Sequence, residues 1–323
     1  MIHRALAAVV ALLLLAGCSA DPPYDPPDAD GSPDASSQRS LAAQRGPQPQ
    51  APPLTDTWTA PASPRELARR LTLAEDLAHD PGTTGDLLAA AAFESQLLYR
   101  FLGRTPAWDD AVRAALPRRW RADLAEHVDA RRSLRSVLTT LSDVVPAWRI
   151  VRPAPLPDLE RFYREGERRY GVPWQVLAAV NFVETGFGKI RGYSTAGARG
   201  PMQFIPATWA AYGEGDIDDP HDAIIAAARY LAANGGGSGD PADLESALYH
   251  YNNHPGYVAG VLDYARIIER DPAALRELAA WQIVYVCTIG DLWLPVGYAS
   301  RTEVPVRRYA ERWPDRHLGD LTG

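Results

Sequence analysis

Cysteine and lysine are almost missing from this chain of 323 residues, which has two cysteines and one lysine. Cys287 lies among apolar residues, so we predict a buried and unreactive thiol there. With so few cysteines, the fold has to rest on a hydrophobic core rather than on disulfide bonds. Lys189, the single lysine, is interpreted as compositional bias toward arginine and carries no functional prediction.

An excess of positive charge is also absent, since the formal net charge is −7. A nucleic-acid partner needs a basic face to meet its phosphates, so we predict no such partner. Hydrophobic residues make up 46% of the chain and charged residues 23%. This is enough apolar material for one or two globular domains with a sizeable core.

The N-terminal hydrophobic run, Ala5–Leu14, is too short to cross a bilayer, which takes about 20 residues. It comes after a short polar start, and the pattern predicts a secretion signal over residues 1–18. Leu15–Cys18 resembles the bacterial lipobox, which implies that the Cys18 thiol is lipidated and anchors the protein to a membrane. The alternative is an ordinary signal peptide in which the cysteine occurs by chance. A lipidated Cys18 leaves Cys287 without a partner for an intramolecular disulfide.

Residues 19–61 are rich in Pro, Asp, Ser, Gln and Ala and contain few large apolar residues. This composition predicts a disordered tether. A flexible chain of n residues spans about 5–6 Å times the square root of n, so the tether reaches a few nanometres from a membrane.

Residues 62–150 are predicted to form a helical accessory region that packs against the catalytic region and supports it. A capping box formed by Ser63 and Glu66 predicts the start of its first helix. Apolar residues at helical spacing predict further helices over about Thr84–Leu102, Trp108–Leu116 and Pro117–Val144. We predict no functional site in this region.

The region 151–275 is predicted to be catalytic, with helices from about Leu159 to about Ile268. In residues 276–323, the β-branched and aromatic runs Ile283–Thr288 and Leu292–Val296 predict a β-hairpin with a tail after it. The predicted fold class is therefore mainly α, with a small β-hairpin after the helices.

Glu184 ends an apolar helix that is predicted to begin at Pro173. Helical spacing places it on the same face as Leu177, so its carboxyl points toward the packing rather than into bulk water. Desolvation penalises the anion and raises the pKa, as a general acid for a glycosidic oxygen requires. From this segment alone, an exposed or hydrogen-bonded glutamate is an equally good interpretation.

Two later segments add groups that suit sugar binding. After Gly200, which permits close backbone approach, Met202 and Gln203 place an amide beside a thioether. Tyr251 and Asn252 lie near the end of another helix, where a phenol and an amide can hydrogen-bond a carboxyl or a sugar. Each segment alone is equally compatible with a turn or a packed helix end.

In this order, Glu184-Thr185, Gly200-Pro201-Met202-Gln203 and Tyr251-Asn252 resemble the three motifs of the lysozyme-like soluble lytic transglycosylase (SLT) domain. The resemblance covers about Leu159 to Ile268 and is strongest to actinobacterial lipoprotein members. Thr185 stands where the family usually has Ser and keeps the hydroxyl. Pro201 stands where the family commonly has Leu or a small residue.

The resemblance implies a lysozyme-like transglycosylase domain that cleaves the MurNAc-GlcNAc bond of peptidoglycan and forms 1,6-anhydro-MurNAc. Glu184 would be the single catalytic acid and base, and Tyr251 a candidate to orient it. The residues implied to line the groove are Met202, Gln203, Tyr251 and Asn252. No cofactor is implied. The implied partners are peptidoglycan glycan strands and, through lipid on Cys18, a membrane, with an extracytoplasmic location anchored to the cell membrane; the sequence identifies no protein partner.

Two alternative functions stay open. The first is a lysozyme-type muramidase, a hydrolase that a second carboxylate facing Glu184 would favour. The second is a non-catalytic peptidoglycan-binding lipoprotein, which has no evident need for the acid.

We predict no metal site. The loop Asp216–Asp222 lacks the spacing of an EF-hand and is predicted to end in a helix cap. His250 and His254 are four residues apart but lie outside any HExxH pattern.

Overall fold

The computed structural model describes residues 58–319. The predicted signal segment with Cys18 and nearly all of the predicted tether lie outside the described residues. Within the part that is described, no helix combines the length and apolarity needed to cross a bilayer. The described chain is mainly helical with small antiparallel sheets, so the predicted fold class is confirmed.

The accessory region folds into helices α1 Pro64–His79, α2 Gly85–Arg104, α3 Asp109–Ala115 and α4 Arg121–Ser136. α1 begins where the capping box predicts, because the Ser63 hydroxyl accepts a hydrogen bond from the Glu66 N–H at 3.2 Å. The Glu66 carboxylate accepts from the N–H of Ala62 at 2.8 Å. The second bond of the predicted box is therefore shifted by one residue toward the N-terminus.

The predicted helix over Pro117–Val144 is wrong in its last part, because α4 ends at Ser136. Thr139 and Thr140 come soon after, and β-branched residues lose side-chain freedom in a helix. Strand β1, Val144–Val145, pairs instead with a strand near the C-terminus of the described chain.

The region after β1 contains several helices that surround one buried helix, Trp174–Thr185. The elements are β2 Arg149–Ile150, α5 Leu156–Tyr170, α6 Trp174–Thr185, β3 Ile190–Arg191, α7 Pro206–Tyr212, α8 Pro220–Ala233, α9 Pro241–Tyr251, α10 Pro255–Arg270 and α11 Ala273–Ala280. β2 and β3 pair antiparallel. In α6, nearly every residue is buried, which explains its continuous apolar sequence. The predicted cap before α8 is confirmed, because the Asp219 carboxylate accepts from two backbone N–H groups of the first turn.

The described chain ends in small sheets and one short helix. The elements are β4 Ile283–Cys287, β5 Gly290–Leu294, β6 Val304–Pro305, α12 Val306–Arg312 and β7 His317–Gly319. β4 and β5 form the predicted hairpin, and β7 adds to the free edge of β5. The predicted burial of Cys287 is confirmed, and burial raises the pKa of its thiol to about 11; its low reactivity stays a prediction.

α4 and α10 approach each other closely, and this contact joins the accessory region to the catalytic region. A Cβ at Gly260 would lie 2.6 Å from the Leu134 side chain, and one at Gly256 would lie 2.3 Å from the Ser133 carbonyl oxygen. The glycines therefore set the helix separation. One hydrophobic core includes residues from both regions. The boundaries predicted at residues 150 and 275 stay predictions.

Asp291 ties the hairpin to the accessory region. It is fully buried in β5, with Oδ2 2.7 Å from Nε of Arg100 and Oδ1 2.7 Å from Nη2 of Arg104. Both arginines belong to α2, so one carboxylate links that helix to the sheet.

Lys189, in the turn after α6, links that turn to the C-terminal end of α11. Its Nζ donates hydrogen bonds to the carbonyl oxygens of Ala279 at 2.7 Å and Trp281 at 2.5 Å. Burial lowers the pKa of this amine to about 7. Compositional bias alone therefore does not account for the residue.

Replacing Asp291 by Ala is expected to lower the free energy of unfolding by about 3–5 kcal/mol, because it leaves the buried Arg100 guanidinium without a counter-charge. The measurement is urea denaturation monitored by circular dichroism. Glu160→Ala is the matched control, since Glu160 pairs with Arg164 on the exposed face of α5 and its loss should cost about 0.5 kcal/mol or less. Equal effects of the two variants would contradict the role given to Asp291.

Candidate active site

Glu184 lies in the last turn of α6, beside the turn that ends the helix. Gly186 has a φ of 60°, the left-handed conformation that commonly terminates helices, and its N–H donates to the Phe182 carbonyl at 2.8 Å. The local sequence Glu-Thr-Gly therefore ends the helix and holds the glutamate at a fixed position.

The Glu184 carboxyl is buried, with 2% of the residue's surface exposed. Its Oε1 accepts a hydrogen bond from the Tyr257 hydroxyl at 2.8 Å, while its Oε2 has no hydrogen-bond partner among residues 58–319. Burial raises the pKa of this carboxyl well above its ordinary value, and the bond from Tyr257 opposes the rise only in part. Burial therefore favours the protonated form of this carboxyl, with one oxygen held by Tyr257 and the other unpaired among the described residues. The predicted inward orientation of Glu184 is confirmed.

Tyr257, not Tyr251, orients Glu184. The Tyr251 hydroxyl donates instead to the carbonyl oxygen of Met202 at 2.6 Å. The two tyrosine rings stack with centroids 6.3 Å apart and planes within 5°. The proposed bond from Tyr251 to Glu184 is therefore wrong, because the phenol that faces the carboxyl belongs to the next helix, α10.

Gly200, Met202 and Gln203 lie in a tight turn. Gly200 has a φ of 79°, and a Cβ there would lie 2.0 Å from the Ile217 carbonyl oxygen, so only glycine fits. Gln203 also has a positive φ, 51°, and its side-chain amide donates to the Gly200 carbonyl at 3.0 Å. Such strain in a non-glycine residue is typical of functional sites. The Met202 side chain is fully buried in the core, so its contact with a substrate stays a prediction.

Pro201 connects this turn to α6 through its carbonyl oxygen. That oxygen accepts a hydrogen bond from the Asn181 amide at 2.8 Å and from the Thr185 hydroxyl at 2.6 Å. The Tyr163 hydroxyl in turn donates to Oδ1 of Asn181 at 2.7 Å. The Thr185 hydroxyl therefore holds the turn through a hydrogen bond, and Thr185 is the residue next to Glu184 in the sequence.

Asn252 comes directly after the last residue of α9 and is 6% exposed. Its Nδ2 is buried and has no hydrogen-bond partner. Buried polar atoms nearly always have partners, so an unpaired donor here, like the unpaired Oε2 of Glu184, is suited to receive a ligand atom. Contact of Asn252, Gln203 or Tyr251 with a substrate stays a prediction.

Beside the Gly200 turn lies a cavity of about 660 Å³ whose walls include Tyr193, Arg199 and Asp218. Tyr193 is 60% exposed, and its hydroxyl lies 3.4 Å from Nη1 of Arg199. An exposed aromatic ring beside charged groups offers a stacking face and hydrogen bonds, which sugars use. Sequence reasoning did not identify this surface, because no motif marks it.

Comparison with known proteins agrees with this geometry. Residues 161–271 match the family model of the transglycosylase SLT domain. Two distant relatives are the membrane-bound lytic murein transglycosylase F of Thiobacillus denitrificans, 30% identical over 39% of this chain, and the membrane-bound lytic murein transglycosylase F 2 of Alkalilimnicola ehrlichii, 29% identical over 38% of this chain. The matched segment spans 28% of the length of each relative. Residues 161–271 are therefore similar to the SLT transglycosylase domain, and Glu184, Gln203, Tyr251, Asn252 and Tyr257 all lie within that segment.

Tyr257→Phe is expected to raise the pKa of Glu184 further, because it removes the hydrogen bond that stabilises the carboxylate. Carbon-13 NMR titration of the glutamate side-chain carboxyls measures the change. Tyr230→Phe is the matched control, since the Tyr230 hydroxyl donates to the His250 carbonyl and its loss should leave Glu184 unchanged. A Glu184 pKa that stays the same or falls in Tyr257→Phe would rule out this role of Tyr257.

Proposed function

We propose that this protein is a lytic transglycosylase that cleaves the MurNAc-GlcNAc bond of peptidoglycan with formation of 1,6-anhydro-MurNAc, in remodelling of the cell wall. The observation that carries the proposal is the buried Glu184 carboxyl, whose pKa is raised and whose Oε2 has no partner. An acid that keeps its proton near neutral pH is what a glycosidic leaving group requires.

The reaction uses one carboxyl twice. Glu184 first donates its proton to the glycosidic oxygen, so that the bond to C1 of MurNAc breaks. The carboxylate then takes the proton of the MurNAc 6-hydroxyl as that oxygen bonds to C1, which closes the anhydro ring and restores the acid. Tyr257 holds Oε1 throughout and leaves Oε2 for both proton transfers.

The surroundings of Glu184 support a mechanism with a single carboxylate. A second carboxylate within short range would raise the Glu184 pKa by charge repulsion, whereas the cause of the rise in residues 58–319 is burial. Two-carboxylate glycosidases place their acids about 5–9.5 Å apart. In the proposed reaction the substrate's own N-acetyl group takes over the stabilisation of C1, a known exception to the two-carboxylate rule. This favours the transglycosylase over the muramidase.

Glu184→Gln is expected to reduce the release of 1,6-anhydro-muropeptides from purified sacculi by about 10²–10⁴-fold, because the amide cannot donate or accept the proton. Mass spectrometry of the products is the measurement. Glu160→Gln, on the exposed face of α5, is the control and should match the wild type. Products that end in reducing MurNAc would establish a muramidase. Binding to sacculi without any products would establish a wall-binding protein.

The stability of Glu184→Gln distinguishes lost chemistry from lost folding. In the unfolded chain a glutamate ionises near pH 4.3, whereas in the folded protein the raised pKa keeps the proton to higher pH. The free energy of unfolding of the wild type therefore falls as the pH rises through this window, and glutamine at position 184 removes that fall. Glu184→Gln should unfold at a higher temperature than the wild type at pH 8, with a smaller difference at pH 4. If Glu184→Gln is inactive and also less stable than the wild type at both pH values, its loss of activity reflects misfolding rather than lost chemistry.

We further propose that lipid on Cys18 anchors the protein on the outer side of the cell membrane and that residues 19–61 tether the catalytic part to it. The motif at Leu15–Cys18 supports this arrangement. Cells fed an alkyne fatty acid should label the wild-type protein and not Cys18→Ala, with Cys287→Ala as the matched control. Equal labelling of the wild type and Cys18→Ala would exclude lipidation at this position.

A further inference from the structure

A cavity of about 280 Å³ lies between α2, α4 and β4, apart from the residues of the Glu184 site. Five of the nine residues that line it are arginines, and none is acidic. The lining consists of Arg100, Gly103, Arg104, Arg131, Arg132, Leu134, Arg135, Ser136 and Val286. Such a concentration of guanidinium groups in one concave site needs a source of negative charge.

The protein supplies only part of that charge. Arg100 and Arg104 share the carboxylate of Asp291, and Arg132 pairs with Asp109 at 2.7 Å. Three of the five arginines therefore balance two carboxylates.

Arg131 and Arg135 form no ion pair with any carboxylate in residues 58–319. Five positive charges against two negative ones leave the walls of the cavity with a net charge of about +3.

Among the five arginines, Arg131 has a buried guanidinium group with an unpaired N–H. Its guanidinium carbon lies 4.8 Å from the ring centroid of Trp281, and its Nε is sealed from solvent with no hydrogen-bond partner in the described part of the chain. Burial lowers the pKa of the group to about 10. A desolvated cation with an unused N–H is unfavourable, and a bound anion removes both costs.

We propose that this cavity binds a carboxylate carried on a short aliphatic group, such as the C-terminus of a small peptide. Guanidinium groups bind carboxylates through two parallel hydrogen bonds, and Arg131 and Arg135 have the free capacity to do so. Leu134, Val286 and the arginine methylenes give the cavity apolar walls for the group that bears the carboxylate.

This site adds peptide recognition to a protein that acts on a glycan. Peptidoglycan carries short peptides beside its sugars, and the assignment to those peptides rests on the proposed function. Binding of a carboxylate in the cavity does not depend on the proposed function, since no residue of the cavity belongs to the Glu184 site.

The test is isothermal titration calorimetry of the whole chain with an N-acetylated alanine dipeptide that has a free C-terminus, and with the same dipeptide amidated. The free acid should bind and the amide should not. Arg131→Met and Arg135→Gln should each weaken binding by about tenfold or more, as expected for loss of a charge-assisted hydrogen bond. Arg161→Met is the matched control, because Arg161 also stacks on an aromatic ring, that of Phe162, but lies on an exposed surface.

Thermal unfolding separates this proposal from a purely structural role of Arg131. Methionine keeps the apolar contact with Trp281 and removes the unpaired charge, so Arg131→Met should unfold at the same temperature as the wild type or above it. Equal binding of the acid and the amide, unchanged binding in both cavity variants, or a less stable Arg131→Met would overturn the proposal. Binding of inorganic phosphate but not of the dipeptide would overturn the choice of a carboxylate and identify a phosphate site instead.

Discussion

The candidate site depends on the hydrogen bond between Tyr257 and the buried Glu184. This bond joins α6 to α10 at the place where an acid has been removed from water. A carboxyl so placed keeps its proton only while the surrounding helices exclude solvent, so the pKa of Glu184 depends on the packing of the whole domain. The chemistry of one side chain is therefore a property of the arrangement of helices.

The accessory region belongs to that arrangement. The SLT match begins at residue 161 and ends at residue 271, yet α10, which carries Tyr257, is backed by α4 from the accessory region. Because Gly256 and Gly260 have no side chains, Leu134 and the Ser133 carbonyl of α4 pack directly against the backbone of α10. The residues before the matched segment therefore contact the helix whose Tyr257 hydrogen-bonds Glu184. This gives the accessory region a physical role that no motif in its sequence indicates.

The sequence predicts the elements that obey local rules. Ser63 and Asp219 cap helices, Gly290 lies in a hairpin, and Glu184 ends an apolar helix that proves to be buried. Tyr257 escaped prediction, because its role requires knowing how α10 crosses α6, and its neighbouring motif ends at Asn252. Long-range contacts of this kind are not encoded in the periodicity of a single segment. The motifs identify residues of the candidate site but not the hydrogen bonds between them.

The single lysine of the sequence has a practical consequence. Lys189 is 4% exposed, and its amine is occupied by two peptide carbonyls. Amine-directed labels and cross-linkers therefore find no accessible side-chain amine anywhere in residues 58–319 while the protein is folded. Reaction at Lys189 reports the opening of the contact between the turn after α6 and the C-terminal end of α11, so the residue is a probe for local unfolding beside the helix that carries Glu184.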